Sequence, residues 1–318
     1  MSKPDLSIII VNWKVRALLE KCLNSVLKNS DNLNLEILVV DNDSQDGTSE
    51  MIMMDYEEVT MIALPKNIGF AAANNLALKQ TKSELIFLLN PDTEINPGFF
   101  AKIKEYMDNN PSVAIVGPKI VNPDGSLQLS IRRSPSLISQ VFTLLKLQNV
   151  LGSEKDLDSY VTKAFLPLLF KIRKRFSKSK TIPYYLAADF DYNKEQKVEQ
   201  LMGAAMLIRR AVFEKIGYFD ERFFVWFEEV DFCERARKNG LEIRYFPAVS
   251  IVHYGGASFS QKNSLRKQLI FNKSLLHYFF KHQPFWQTIV IILLIPVNIV
   301  LTLIYVIFLQ NKESESII

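Results

Sequence analysis

An α/β domain built on a mostly parallel sheet is what this sequence predicts, and three observations predict it. Short apolar runs rich in Ile, Val and Leu recur between residues 7 and 116 without polar alternation, as strands covered on both faces do. Segments with apolar residues at three- and four-residue spacing lie between them, the pattern of helices packed on such a sheet. Polar residues directly follow several of the runs, and open α/β sheets bind ligands at the carboxyl ends of their strands.

The first predicted strand is Ser7 to Val11, ending at Asn12-Trp13, and a helix follows through Leu18, Leu19, Cys22, Leu23 and Val26. Ile37 to Val40 predicts a second strand, ending at Asp41; Thr60 to Leu64 a third, Leu85 to Leu89 a fourth and Val113 to Val116 a fifth. Helices are expected over Thr48–Met54, Phe70–Gln80 and Pro97–Met107. From Ser134 to Gln196 the alternation breaks. Apolar stretches at Val141 to Leu151 and Ala164 to Phe170 precede a cationic run from Lys171 to Lys180. This segment reads as helical and surface-associated, facing an acceptor or a bilayer, or equally as a solvated charged helix in an insertion.

Phe285 to Leu309 contains no charged residue. At ~1.5 Å per residue it is long enough for a ~30 Å hydrocarbon core. Arg266, Lys267, Lys273 and Lys281 precede it, while Lys312 follows beside Glu313 and Glu315. That asymmetry predicts a cytoplasmic N-terminal domain, for a spanning helix and a half-inserted one alike. Ile8 to Val11 is too short for an apolar targeting core, so no secretory leader is expected at the N-terminus. Two cysteines, Cys22 and Cys233, make no disulfide framework or zinc spacing. A net charge of +4 is too small an excess to suggest a nucleic-acid partner.

Five places can carry chemistry. Asp41 opens Asp41-Asn42-Asp43 at a strand end, where a carboxylate can accept bonds from a base or a ribose; Asp46-Gly47-Thr48 reads as a turn and cap. Asn67-Ile68-Gly69-Phe70, running on to Asn74 and Asn75, puts a glycine and free N–H groups at a helix start, which favours phosphate. Asn90-Pro91-Asp92 offers a carboxylate for Mg2+ or Mn2+, or an Asx turn. Trp226-Phe227-Glu228-Glu229-Val230-Asp231 gathers acids among aromatics, as a general base with a raised pKa requires and as a helix N-terminus also prefers. His253, before Tyr254-Gly255-Gly256, is a further candidate.

Taken in order, these pieces resemble glycosyltransferase family 2, the inverting family, and its rhamnosyltransferase-like branch. The matching residues are Ile9 to Trp13, Val40-Asp41-Asn42 with Asp46-Gly47-Thr48, Asn67 to Ala71 and Leu89-Asn90-Pro91-Asp92, then Gly203 to Met206, Gly217 to Glu221, Glu228 to Asp231 and His253 to Gly256. The resemblance implies a GT-A fold over residues 1–262, with 134–196 a variable amphipathic and basic insertion. A basic juxtamembrane helix over 263–283, a transmembrane or membrane-inserted helix over 284–310 and a tail over 311–318 complete the expected organisation. It implies a nucleotide-diphosphate-sugar donor (dTDP- or UDP-linked) and a divalent metal (Mg2+ or Mn2+), while the apolar C-terminal segment and the cationic insertion suggest a lipid-linked glycan acceptor at the inner face of the cell membrane. Carried over residue by residue, it puts Val11, Asn12, Asp41, Asn67, Gly69, Asn74, Asn90 and Asp92 on the donor side. Trp226, Glu228 and Asp231 fall on the acceptor side, Glu229 at the general base, and Asp92 with His253 at the metal. The chain departs from the family pattern twice: Asn90 stands where the metal-binding DxD motif has its first acid, and Glu229 stands where aspartate is commoner. Two rival readings predict different residues. A silent sugar-nucleotide-binding module would lack Glu229, and a sugar nucleotidyltransferase would carry a glycine-rich loop where this chain has Asn12-Trp13-Lys14-Val15-Arg16.

Overall fold

The computed structural model describes residues 3–146, 184–255 and 265–315, with backbone alone from 307 onward. The cationic run from Lys171 to Lys180, the apolar stretch from Ala164 to Phe170 and Gly256 lie outside the described residues. The chain forms two compact units, Met1–Arg132 with Phe190–Gln261 and Arg133–Asp189 with Lys262–Ile318.

The first unit is an α/β domain. Its strands are β1 (Leu6–Asn12), β2 (Leu35–Asp41), β3 (Val59–Ala63), β4 (Leu85–Leu89), β5 (Thr93–Ile95), β6 (Val113–Val121), β7 (Gln196–Lys197), β8 (Ala205–Arg209) and β9 (Glu242–His253). They join one sheet in the order β3-β2-β1-β4-β8-β6-β9-β5, with β7 paired to β9. β1, β2, β3 and β4 are parallel, β8 runs against both β4 and β6, and β6 and β9 are parallel to each other. Every residue of β1 and β4 is buried, as expected for central strands covered on both faces. β3, at the edge, is only partly covered.

The helices follow the predicted periodicity: α1 (Arg16–Lys28), α2 (Thr48–Asp55), α3 (Phe70–Leu78) and α4 (Phe99–Asn109). α1 buries Leu19, Cys22, Leu23 and Val26, one stripe at helical spacing. Both cysteines are free and buried, and burial pushes the Cys22 thiol up to about 12. α4 turns Phe99 and Phe100 against Phe87 of β4, with ring centroids 5.4 and 6.0 Å away. Two later helices, α6 (Arg210–Ile216) and α7 (Glu228–Lys238), complete this unit, with α5 (Leu137–Leu144) belonging to the other.

β8 and β9 lie beyond the sequence reading. β8 is a five-residue strand, four apolar residues closed by Arg209, inserted antiparallel between parallel strands. β9 alternates buried and less buried residues on either side of Phe246 to Ala248, where the alternation breaks, and its register with β6 slips between Pro118 and Lys119, whose partners are Phe246 and Ser250. Pro118 and Pro247 offer no N–H there, and a bulge absorbs the mismatch.

In the second unit, α5 starts from a capping box in which Ser136 and Ser139 bond each other's backbone N–H. α8 (Leu265–His282) and α9 (Phe285–Glu315) follow, separated by Gln283 and Pro284. Within α9, Phe285–Val306 is long and apolar enough to cross a membrane.

One side chain ties α3 to the segment before α7. Asn75 Oδ1 accepts from Phe219 N–H (3.0 Å), and its Nδ2 donates to Phe219 C=O (2.9 Å) and Glu221 Oε1 (3.0 Å). Asn75 is buried, so no water replaces it. Asn75→Leu should therefore lower unfolding free energy by about 1–3 kcal/mol for each buried backbone group left unpaired. Denaturant titration against the wild type measures this, and an unchanged midpoint would contradict it.

Candidate functional site

The strand order reverses at β1, which has β2 on one side and β4 on the other. Such a switch point opens a crevice beyond the carboxyl ends of the strands. Asn12, Asp41 and Asn90 stand at this edge because β1, β2 and β4 end there. Val11, buried within β1, pairs with Val40 one residue earlier.

Asn12 and Asp41 are direct neighbours in register and both are buried. Asn12 Nδ2 donates to Ser44 Oγ (3.1 Å) and Thr48 Oγ1 (3.0 Å), while its Oδ1 has no partner. Asp41 Oδ2 accepts from Ser49 Oγ (3.1 Å), and its buried Oδ1 also has no partner. Two buried acceptors aimed from adjacent strand ends suit a ligand that brings N–H or O–H donors.

A chain of contacts links this corner to the other acids. Asn42 Oδ1 accepts from Ile68 N–H (2.9 Å), and Asn42 Nδ2 donates to the Gly69 carbonyl (3.3 Å). Asn67 Oδ1 accepts from Gly69 N–H (2.9 Å). Gly69 sits at φ +89°, and a Cβ there would come within 2.5 Å of the Phe224 carbonyl oxygen; that oxygen accepts instead from Phe70 N–H (2.7 Å). Only glycine permits this approach. Asn74 is buried and donates to Phe70 C=O (2.9 Å) within its own helix.

Beyond Phe224 the chain turns sharply. Trp226 and Phe227 both adopt left-handed backbone, at φ +65° and +70°, immediately before α7. Consecutive bulky residues in this region cost energy, which functional sites often store. The turn delivers Glu228 and Glu229 to the first turn of α7, and one carboxylate oxygen of each is buried without a partner. Burial pushes both carboxyls above the ordinary range, and for Glu228 the charge of Glu229 adds to it. The helix dipole favours the charged forms, yet desolvation wins. Asp231 is turned elsewhere. It pairs with Arg235 (2.9 Å), whose guanidinium also donates to the carbonyls of Ile216 and Tyr218.

The Glu229 side chain packs on Gly203, where an added Cβ would touch it at 3.6 Å. The next residue, Ala204, accepts from Asn90 N–H (2.9 Å), which brings the Asn90-Pro91-Asp92 loop alongside. Asp92 C=O accepts from Tyr254 N–H (2.9 Å), and Asp92 Oδ1 lies 3.3 Å from His253 Nε2. Asp41, Gly69, Glu229, Asp92 and His253 thus belong to one continuous set of contacts along one edge of the sheet.

His253 Nδ1 meets Gln128 Oε1 at 2.6 Å, and Gln128 Nε2 donates to Asn122 Oδ1 (3.0 Å). The amide oxygen only accepts, so His253 Nδ1 donates to it and Nε2 is turned toward Asp92. A carboxylate oxygen and an imidazole nitrogen this close are donors that suit Mg2+ or Mn2+. Among the described residues no three His, Cys, Asp or Glu side chains gather as a metal site. Gln128 escaped the sequence reading, since nothing marks a glutamine 125 positions before its partner.

A sheet of this order with acids along its switch-point edge is a GT-A-like fold, the α/β scaffold of nucleotide-sugar-dependent transferases. A mannosyltransferase from Pyrobaculum calidifontis, solved with GDP-Man and Mn2+, shares that fold at a TM-score of 0.53 and 15% identity, over 99% of this chain and 76% of that one. The chain belongs to glycosyl transferase family 2, whose model matches residues 7–217, and it is a glycosyltransferase. It is 24% identical over 293 residues to the N-acetylglucosaminyl-diphospho-decaprenol L-rhamnosyltransferase of Mycobacterium tuberculosis, covering 89% of this chain and 86% of the relative. The dTDP-rhamnosyl transferase RfbF of Shigella flexneri is 24% identical over 236 residues, 73% of this chain and 64% of its own.

The raised Glu228 carboxyl has a consequence for stability. A group that binds its proton more tightly folded than unfolded adds stability below its unfolded pKa, and that contribution is lost as pH rises through the folded pKa. Glu228→Gln should raise the thermal midpoint at neutral pH, and the gain should shrink as pH falls toward the ordinary glutamate range. A gain that grows on acidification would show that Glu228 is not held neutral.

Proposed function

We propose that this glycosyltransferase moves a rhamnose-like or other hexosyl group from a dTDP- or UDP-linked donor to a membrane-associated acceptor, a polyprenyl-diphosphate-linked sugar, in cell-surface polysaccharide synthesis. The observation that carries this reading is the buried Glu229 carboxylate, unpartnered at Oε2 and in contact with Gly203 beside the Asp92 loop. The two rhamnosyl-transferring relatives support the sugar, and the name of one supports the lipid diphosphate.

Asp41, with its open Oδ1, receives the base or ribose of the donor, and Asn12 offers a second acceptor beside it. Asn67, Gly69 and the start of α3 line the approach of the phosphates. Asp92 and His253 hold the divalent metal, with Gln128 orienting the imidazole. When bound, that metal supplies positive charge to the departing nucleoside diphosphate. Glu229 takes the proton from the acceptor hydroxyl as that oxygen bonds to the anomeric carbon. The bond to the diphosphate breaks, its electron pair leaves with the phosphate oxygen, and the configuration inverts. Burial suits Glu229 to this role, because a raised pKa makes a carboxylate a stronger base near neutrality. Trp226 and Glu228 stand on the acceptor side. The exposed cations of α8 ahead of an apolar α9 support attachment at the cytoplasmic membrane face.

Glu229→Gln should reduce transfer by about 10²–10⁴-fold while donor binding, measured by calorimetry, survives; near-normal turnover would remove Glu229 from the mechanism. Asp92→Ala should abolish the dependence of donor affinity on Mn2+, and an intact dependence would move the metal elsewhere. The substrate is tested by supplying membranes with a panel of labelled nucleotide sugars. Label from dTDP-rhamnose or a UDP-hexose should enter the lipid fraction, and its absence from that fraction with every donor would sink the proposal.

A further inference from the structure

A helix at the surface of a water-soluble protein turns its apolar side inward and its polar side out. α9 does the reverse. Thr288, Asn298 and Thr302 are among its buried positions, whereas Trp286, Ile289, Leu293, Val297, Val300 and Leu303 form an exposed apolar stripe at three- and four-residue spacing. The buried side is held by polar bonds. Asn298 Nδ2 donates to the Leu144 carbonyl of α5 (2.7 Å), and Asn298 Oδ1 accepts from Asn272 Nδ2 of α8 (3.0 Å). Asn272 Oδ1 in turn accepts from Gln268 Nε2 (3.0 Å), and Gln268 Oε1 from Lys146 Nζ (3.2 Å).

This clasp fixes α8 beside α9 at a known level. Asn298 lies 13 residues after Phe285, about 20 Å along the axis at ~1.5 Å per residue. If α9 entered a bilayer end-on at Phe285, Asn272 and the exposed Lys273 next to it would sit in the hydrocarbon, past its midplane by that measure. Exposed Arg266 would lie further along. Exposed cations at that depth are strongly disfavoured. With α9 lying in the plane of the membrane the conflict disappears. The stripe from Trp286 to Leu303 then meets acyl chains, and Arg266, Lys273 and Lys281 stay at the level of anionic headgroups.

We infer that α8 and α9 attach to the membrane as one clasped pair, in plane and in a single leaflet, with the Trp286–Leu303 stripe as the lipid-binding face. This rests on the membrane attachment proposed above and specifies its mode. Nitroxide labels on Ile289→Cys, Val297→Cys and Leu303→Cys test it in the full chain, reconstituted on vesicles of phosphatidylethanolamine and phosphatidylglycerol. All three labels should report one shallow depth, about 5–10 Å into the headgroup boundary, and in cells a C-terminal tag should lie on the same side as the N-terminal domain. Depth that peaks near Val297 with the tag on the opposite side would overturn the inference, and so would labels that remain in water. Nucleotide-sugar transfer by the same preparations separates the two readings. An inactive chain with uniform depth would count against the proposed reaction alone, and an active chain with graded depth against the in-plane mode alone.

Discussion

The approach of the Phe224 carbonyl to Gly69 is the contact on which the site depends. It joins the entry of α3, early in the chain, to the turn that carries Glu228 and Glu229, more than 150 residues later. A side chain at position 69 would occupy the space that this oxygen fills, and the positive φ there disfavours one as well. Asn75 reinforces the junction further along α3, by bonding both backbone groups of Phe219. Held at these two points, the strained Trp226-Phe227 turn has little freedom, and the acids behind it are presented in a fixed direction.

The acid pair shows what such presentation costs. Glu228 and Glu229 each have a carboxylate oxygen shut away from water with nothing to bond it, an arrangement that stability alone would not select. Charge on one opposes charge on the other. The first turn of a helix softens the penalty without removing it. Asp231, three positions after Glu228, shows the alternative. Its carboxylate is equally buried but is paired with Arg235, and it serves the packing of α7 against the end of α6.

Local pattern carried most of the first unit. Apolar runs without alternation gave β1, β2 and β4 close to their ends, because central strands covered on both faces leave that signature in composition alone. Stripes such as Leu19, Cys22, Leu23 and Val26 gave the helices. β8 was harder to read, since four apolar residues beside a helix start do not declare which neighbours they pair with or in which direction. β9 is broken by a proline and a register shift. Among the candidate site residues, Asp41 was legible because it ends β2, Asp92 because it lies in the short loop leaving β4, and Glu229 because it sits in an acidic cluster. Gln128 was not, because its role exists only through a partner 125 positions away. The polar seam of α9 was hidden for a related reason: Asn298 reads as an interruption until Asn272 and the Leu144 carbonyl are seen opposite it.

The direction of β8 reaches beyond topology. In a sheet whose strands all point one way, the chain that follows a strand meets the ligand and the chain that precedes it lies on the far side. β8 points the other way, with Ala205 opposite Leu89, so its leading segment arrives at the working edge. Gly203 and Ala204 thereby stand between the loop of Asp92 and the side chain of Glu229. A reversed strand thus acts as a conveyor. It lets two small residues from the second half of the chain set the spacing between the Asp92 loop and the Glu229 side chain.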